Sequence, residues 1–133
     1  MAYEESLRSI SLDADATIGI YTGVPGQPGS PNPHGGKQYH FVKLTGNHVV
    51  GLATGVTDAV VGVLQNKPQT PGSAATVAFS GVTNVIAGAA ITAGTAVGPD
   101  AAGAAIGAGA NAVAGYAIAA STAAGQLIPV LLK

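Results

Sequence analysis

The sequence predicts an all-β protein, a small β-barrel or β-sandwich, on three observations. Residues 75–80 alternate, with Ala75, Val77 and Phe79 on one face, which is the two-residue period of a half-buried strand. Short β-rich runs are separated by Gly and Pro turns at intervals of roughly 8–12 residues. The Ala-rich stretch at 101–115 is interrupted by Gly at four positions, each costing about 1 kcal/mol in a helix interior, so we expect a loop there.

Three regions follow one another along the chain. Residues 1–18 carry most of the acidic residues and a weak apolar pattern, which predicts an N-terminal arm or an edge strand. Residues 19–37 hold four Pro among Gly and polar residues, which is typical of a loop or an extended linker. Residues 38–133 contain the β-rich runs and form the predicted domain.

Within that domain the first predicted strands flank a turn at Gly46-Asn47. Further strands are expected at 60–64, 75–80, 82–86 after Gly81, and 91–97, with a turn at 98–100. The last run, 126–132, contains Pro129, which predicts an edge position because proline lacks the donor that a central strand needs. The residues expected in the core are Val77, Phe79, Val85, Ile91, Val97 and Ile118.

Composition excludes several classes of partner. Only 8% of the 133 residues are charged and the net charge is −1. The basic residues are scattered, so we expect no nucleic-acid partner, which would need clusters of Lys and Arg. The acidic N-terminus does not resemble a signal peptide, and no stretch is apolar enough to span a membrane, so a soluble, non-secreted protein without a membrane partner is expected. The absence of Cys excludes disulfides and thiolate metal sites.

No motif in the sequence points firmly to catalysis. Three histidines, His34, His40 and His48, invite a zinc hypothesis, and the last two would meet across a hairpin turning at Gly46-Asn47. Ordinary surface histidines are the favoured interpretation. The segment GAGANA at 107–112 matches a loose dinucleotide-loop pattern, but no acidic residue follows to bind the ribose. We therefore expect neither a cofactor nor enzymatic activity; a small metal-dependent hydrolase and a membrane-active protein are the less favoured hypotheses.

Most of the chain from Tyr39 to Leu132 resembles the small capsid cement, or head decoration, proteins of tailed bacteriophages. The opening MAYE and the segment VGVLQNKP at 61–68 carry this resemblance, and the second is the most specific. Further matching segments are YHFVKL at 39–44, ATVA at 75–78, SGV at 80–82, AGAAITAG at 87–94 and GQLIPVLL at 125–132. The insertion at 19–36 departs from the family pattern.

The resemblance implies a non-enzymatic structural protein of the virion, made in the host cytoplasm and bound to the outer capsid surface. It implies the major capsid protein as partner and trimers of this chain at three-fold or quasi-three-fold positions, stabilising the shell. From the residues we expect the N-terminal arm and the Pro/Gly loop to face the partner, through Tyr3, Leu7, Arg8, Ile10, Leu12 and Tyr21. A structural module of a phage tail or fibre tip is the alternative.

Overall fold

The computed structural model describes residues 7–18, 37–68 and 70–132. These residues form strands and turns without a helix, so none of them belongs to a helix long and apolar enough to cross a membrane. The all-β prediction is confirmed. The strands are β1 (Arg8–Ala14), β2 (Phe41–Gly46), β3 (Val49–Leu52), β4 (Val60–Leu64), β5 (Ala74–Ile86), β6 (Ala96–Pro99), β7 (Ala105–Gly107), β8 (Gly115–Ala117) and β9 (Leu127–Leu132).

The first five strands close into a barrel in the order β1-β3-β2-β4-β5, with β5 pairing back onto β1. β1 runs antiparallel to β5, with Leu12 opposite Ala75. Its contact with β3 is parallel and confined to two positions, where Asp13 and Ala14 lie opposite Val49 and Val50. Residues 8–14 of the predicted arm are thus an integral barrel strand. This strand pairs with β5 along most of its length and with β3 only at its C-terminal end.

Strand β5 joins the barrel to a second sheet. The sequence predicted a break at Gly81, but the strand continues through this residue, which takes a φ of 100°. Because glycine adopts positive φ without a Cβ penalty, the strand changes direction here without ending. Its second half pairs with β9, and the sheet continues in the order β9-β8-β6-β7. A parallel bridge between Ala87, directly after β5, and Ala105 on β7 links the far edge of this sheet back to the end of β5.

Two apolar clusters fill the interior. One occupies the barrel and contains Ile18, Val42, Val50, Leu64 and Val77, among others. The other lies between the barrel and the second sheet, around the fully buried Phe41. The strands approach closely: a Cβ placed on Gly62 would collide with the backbone carbonyl of Ala78 on β5. Small residues therefore set the spacing of the layers, which agrees with the Ala- and Gly-rich composition.

Four of the six predicted core residues are buried: Val77, Val85, Ile91 and Val97. The prediction is wrong for Phe79 and Ile118, which are 38% and 47% exposed. The pairing between β1 and β5 passes from Ser80 to Ala78 without a partner for Phe79, so this residue is the extra one of a bulge and turns outward. On β8 the inner face belongs to Gly115 and Ala117, and the larger side chains point out.

The edge position predicted from Pro129 is also wrong, because β9 lies between β5 and β8. The Pro129 carbonyl accepts a hydrogen bond from the Ile118 N–H, so the nitrogen of the same residue also points toward that side. Ile118 follows the end of β8, so the N–H that Pro129 lacks would point past the last paired residues of β8 and β9, where no strand partner needs it. Two smaller differences concern the predicted strand at 91–97, of which only the last two residues belong to β6, and the predicted loop at 101–115, which contains β7.

Candidate functional site

The open end of the five-stranded barrel forms an apolar groove of about 530 Å³, called here the barrel mouth. Ile10 and Leu12 line one side; they alternate in phase with the buried Ala14 and so point toward the barrel interior. Leu44 lines the opposite side, in phase with the buried Val42. Val61 and the hairpin tip at Gly46, Asn47 and His48 complete the rim. Side chains that face the barrel interior are therefore open to solvent, with Ile10 47% and Leu44 55% exposed.

The mouth is open because β1 and β3 separate at this end. The Asp13 N–H donates to the His48 carbonyl at 2.8 Å, so the backbone groups of Asp13 point toward the hairpin. Ser11 and Ser9 share this orientation, because successive residues of a strand point their backbone groups to alternate edges. Within the described ranges no strand pairs with β1 at these two positions on that side. A short stretch of free backbone edge therefore lies next to an apolar groove.

Two of the predicted partner-binding residues, Ile10 and Leu12, come together in the mouth. Leu7 lies in a separate, smaller groove with Tyr39, Val82 and Pro129, among others. Arg8 is exposed between the two, opposite Ser80. Tyr3 and Tyr21 lie outside the described residues. Sequence reasoning missed Leu44 and Val61. Leu44 carried a signal, as an apolar residue two positions before the predicted turn at Gly46-Asn47, and Val61 carried none.

The outer surface of the second sheet is also apolar and is called here the sheet face. The register places Val82 opposite Leu131 and Leu131 opposite Tyr116, so these residues form one row across three strands. Tyr116 is 40% exposed, and Ile118 and Leu127 extend the same surface. No charged residue occurs in the strands that form this sheet, β6 to β9 and the second half of β5.

Three carboxylates close turns. Asp15 accepts hydrogen bonds from the Thr17 N–H at 2.8 Å and from the Thr45 hydroxyl at 2.8 Å. Asp100 accepts from the N–H groups of Ala102 at 2.8 Å and Ala104 at 2.9 Å. These contacts hold Asp100 within its own loop, and they tie the turn after β1 to Thr45 on β2 through Asp15.

Asp58 is the third of these carboxylates and also forms an ion pair. Its Oδ2 accepts from the Thr54 N–H at 2.7 Å and lies 3.0 Å from Lys43 Nζ. The Thr54 N–H, and after it the Lys43 ammonium, lowers the pKa of Asp58 because both stabilise its charged form. The pair fastens the loop before β4 to β2, which positions the strand that carries Val61.

The histidines lie apart. His40 precedes β2 and His48 follows it, so about 20 Å of strand separates them, and the hypothesis that they meet across the hairpin is wrong. His34 lies outside the described residues. Burial lowers the pKa of His40, and its Nδ1 lies 3.1 Å from the Gln38 carbonyl. No three His, Asp or Glu side chains of residues 7–18, 37–68 and 70–132 group as metal ligands would.

Comparison with known proteins gives one family and one solved fold. The family model for phage cement proteins matches residues 36–132. The structure is similar to the head fiber gp8.5 N base of bacteriophage phi29, with a TM-score of 0.62 and 18% identity over 96% of this chain and 95% of that one. No curated protein matches the sequence significantly. Because the family model spans both the barrel strands after β1 and the whole second sheet, this chain belongs to the phage cement protein family, a family of structural phage proteins.

Proposed function

We propose that this protein binds the outer surface of a phage capsid without enzymatic activity, as trimers at three-fold or quasi-three-fold positions, and stabilises the shell. The major capsid protein is the partner. The observation that carries the proposal is the match to the cement family over residues 36–132. The described carboxylates support it, since three of them are engaged in turns rather than paired for acid–base chemistry.

The barrel mouth is the surface best suited to the capsid. Strand addition to a free edge supplies directed backbone hydrogen bonds, and an adjacent groove takes the alternate side chains of the added segment. Ser9 and Ser11 provide the edge, while Ile10 and Leu44 provide the groove. An extended, uncharged segment of the capsid protein with apolar residues at alternate positions fits both features. Arg8 lies at the start of the same strand and extends this contact, whereas Leu7 precedes the strand and lies in the separate groove described above.

Such a contact is small, and repetition on the shell compensates for this. The free edge covers about three residues, so a single copy makes few hydrogen bonds to the added strand. Copies held together as a trimer bind with an effective concentration far above that of separate copies, and avidity gains reach about 10²–10⁴. We therefore expect the oligomer to bind the shell much more tightly than one subunit does.

Mixing the protein with undecorated capsids and pelleting the shells tests the proposal. Ile10→Lys and Leu44→Lys place a charge in the mouth, where it opposes an apolar segment, and we expect both to lower occupancy at least tenfold at limiting concentration. Ala74→Lys is the matched control: it adds the same charge to an exposed position on the outer face of β5, away from the groove and from the free edge of β1, and should bind as the wild type does.

Two results would count against these assignments. Full occupancy by both mouth variants would show that another surface binds the shell. A wild-type protein that never pellets with shells would refute capsid binding itself and favour the tail or fibre-tip alternative, which particle imaging would then locate.

A further inference from the structure

The charged side chains are divided unevenly between the two halves of the fold. Among the described residues, the barrel and its loops carry Arg8, Asp13, Lys43 and Asp58, together with Asp15, Lys37 and Lys67. From residue 70 to 132 the only charge is Asp100, whose carboxylate already accepts two backbone hydrogen bonds. The sheet face therefore combines exposed apolar side chains with an absence of ionic groups.

This chemistry favours a particular partner. Contacts between different proteins use opposite charges to steer encounter and set orientation, and the sheet face has none to offer. A surface that meets a copy of itself gains from the same absence, because it brings no like charges together. Thr83 points inward and binds the Gln65 side chain at 2.9 Å, so Asn84 is the polar residue left on the outer row of β5. Two copies of the sheet face can therefore meet without bringing like charges together, and Asn84 is the polar side chain of β5 that such a contact would include.

We propose that the sheet face, the row Val82, Leu131 and Tyr116 with Ile118 and Leu127, is the contact between copies of this chain. The inference rests on the proposed function, in which the protein acts as a trimer, and it names the surface that joins the subunits. It separates the roles of the two apolar surfaces: the barrel mouth binds the shell and the sheet face binds the neighbouring copy.

The size of the sheet face limits how tightly it binds. The second half of β5 and β9 contribute six residues each and β8 contributes three. With strands about 4.8 Å apart and about 3.3 Å per residue, they cover about 240 Å² of flat sheet. A stable interface of standard size uses about 800 Å² on each partner. The sheet face alone therefore supports weak association, which dissociates on dilution and becomes effective when copies are held side by side on a shell.

The natural absence of cysteine makes a clean cross-linking test. Tyr116→Cys places one thiol in the sheet face, and Leu44→Cys places one in the barrel mouth at comparable exposure. In concentrated protein without capsids, a flexible bismaleimide should join Tyr116→Cys into dimers and larger species and leave Leu44→Cys at least fivefold less joined. Equal yields from the two variants, or a higher yield from Leu44→Cys, would overturn the inference.

Sedimentation of charge variants gives an independent measurement. Leu131→Lys should weaken self-association at least tenfold, while Ile10→Lys leaves it unchanged. An unchanged association constant for Leu131→Lys would show that the sheet face does not join copies. The same conclusion would follow if wild-type protein stays monomeric at high concentration and the Tyr116→Cys variant forms no cross-links on decorated shells. Loss of shell binding by Leu131→Lys with intact self-association would assign the face to the capsid instead. The cross-linking in concentrated protein and the sedimentation of Leu131→Lys need no capsids, so a failure of the sheet-face contact can be told apart from a failure of capsid binding.

Discussion

The two phenylalanines of the chain allow one substitution to be compared in two environments. Phe41 is fully buried between the barrel and the second sheet, whereas Phe79 is 38% exposed at the bulge of β5. The alternation of β5 alone places Phe79 in the core. Replacing each with Ala therefore tests the bulge directly.

The structure gives different magnitudes for the two changes. Phe41→Ala removes buried surface and leaves a cavity between two sheets that both pack on it, so we expect a loss of about 3–5 kcal/mol in the free energy of unfolding. At Phe79 part of the ring is already in water and the vacated space is open to solvent. The transfer contribution then falls to about 1–1.5 kcal/mol, with little added for a cavity.

Equilibrium unfolding in urea, followed by far-ultraviolet circular dichroism, measures both losses. With a slope of about 2 kcal/mol per molar urea, the Phe41→Ala midpoint should fall by about 2 M and the Phe79→Ala midpoint by well under 1 M. Because a domain of this size has only about 5–15 kcal/mol of stability, Phe41→Leu and Phe79→Leu form a milder second pair should the first fail to fold. Equal losses within either pair, or a larger loss at Phe79, would refute the bulge.

Two further predictions concern the spacing of the layers and the half-buried imidazole of His40. Gly62→Ala should destabilise the fold by about 1–3 kcal/mol, because its methyl meets the Ala78 carbonyl, while Gly55→Ala, with open space around it, should be nearly neutral by the same urea measurement. The lowered pKa of His40 means that the unfolded chain binds the proton more readily, so stability should fall as pH decreases below about 6.5 toward the folded pKa. His40→Gln should flatten this dependence in melts at pH 5 to 8, and an unchanged slope would exclude His40 as its source.

Local patterns predicted the type of structure, and long-range pairing decided the rest. Alternation in 75–80 and the turn at Gly46-Asn47 correctly indicated strands and a hairpin. The outward turn of Phe79 depends on β1, a strand more than sixty residues earlier, and no local pattern contains that information. The parallel pairing of β1 with β3, which leaves the barrel mouth open, is likewise set by two distant segments.

Hydrophobicity alone also misjudged β8. Ile118 is larger and more apolar than Gly115 and Ala117, so the sequence pattern places it inside, in phase with Tyr116. In the structure, β9 lies so close that a Cβ on Gly115 would meet Val130 Cγ1 at 2.7 Å. Only small residues fit that inner face, and the large ones are therefore exposed. The candidate self-contact is thus a consequence of tight packing, which sequence reasoning does not see.

The segment 61–68 carries the strongest family resemblance. Its role in the fold explains why the family could be identified from the sequence although the residues of the barrel mouth were only partly predicted. Its first half forms most of β4. Asn66 then accepts from the Thr76 N–H and donates to the Ala74 carbonyl, both at 2.9 Å, while Gln65 binds Thr83. These side chains join the end of β4 to β5 at positions in both halves of β5, so they hold the barrel and the second sheet together. A motif with this role identifies the fold, and it contributes only Val61 to the barrel mouth. The remaining residues of the two surfaces proposed to bind partners lie outside this motif, so the motif carries little information about them.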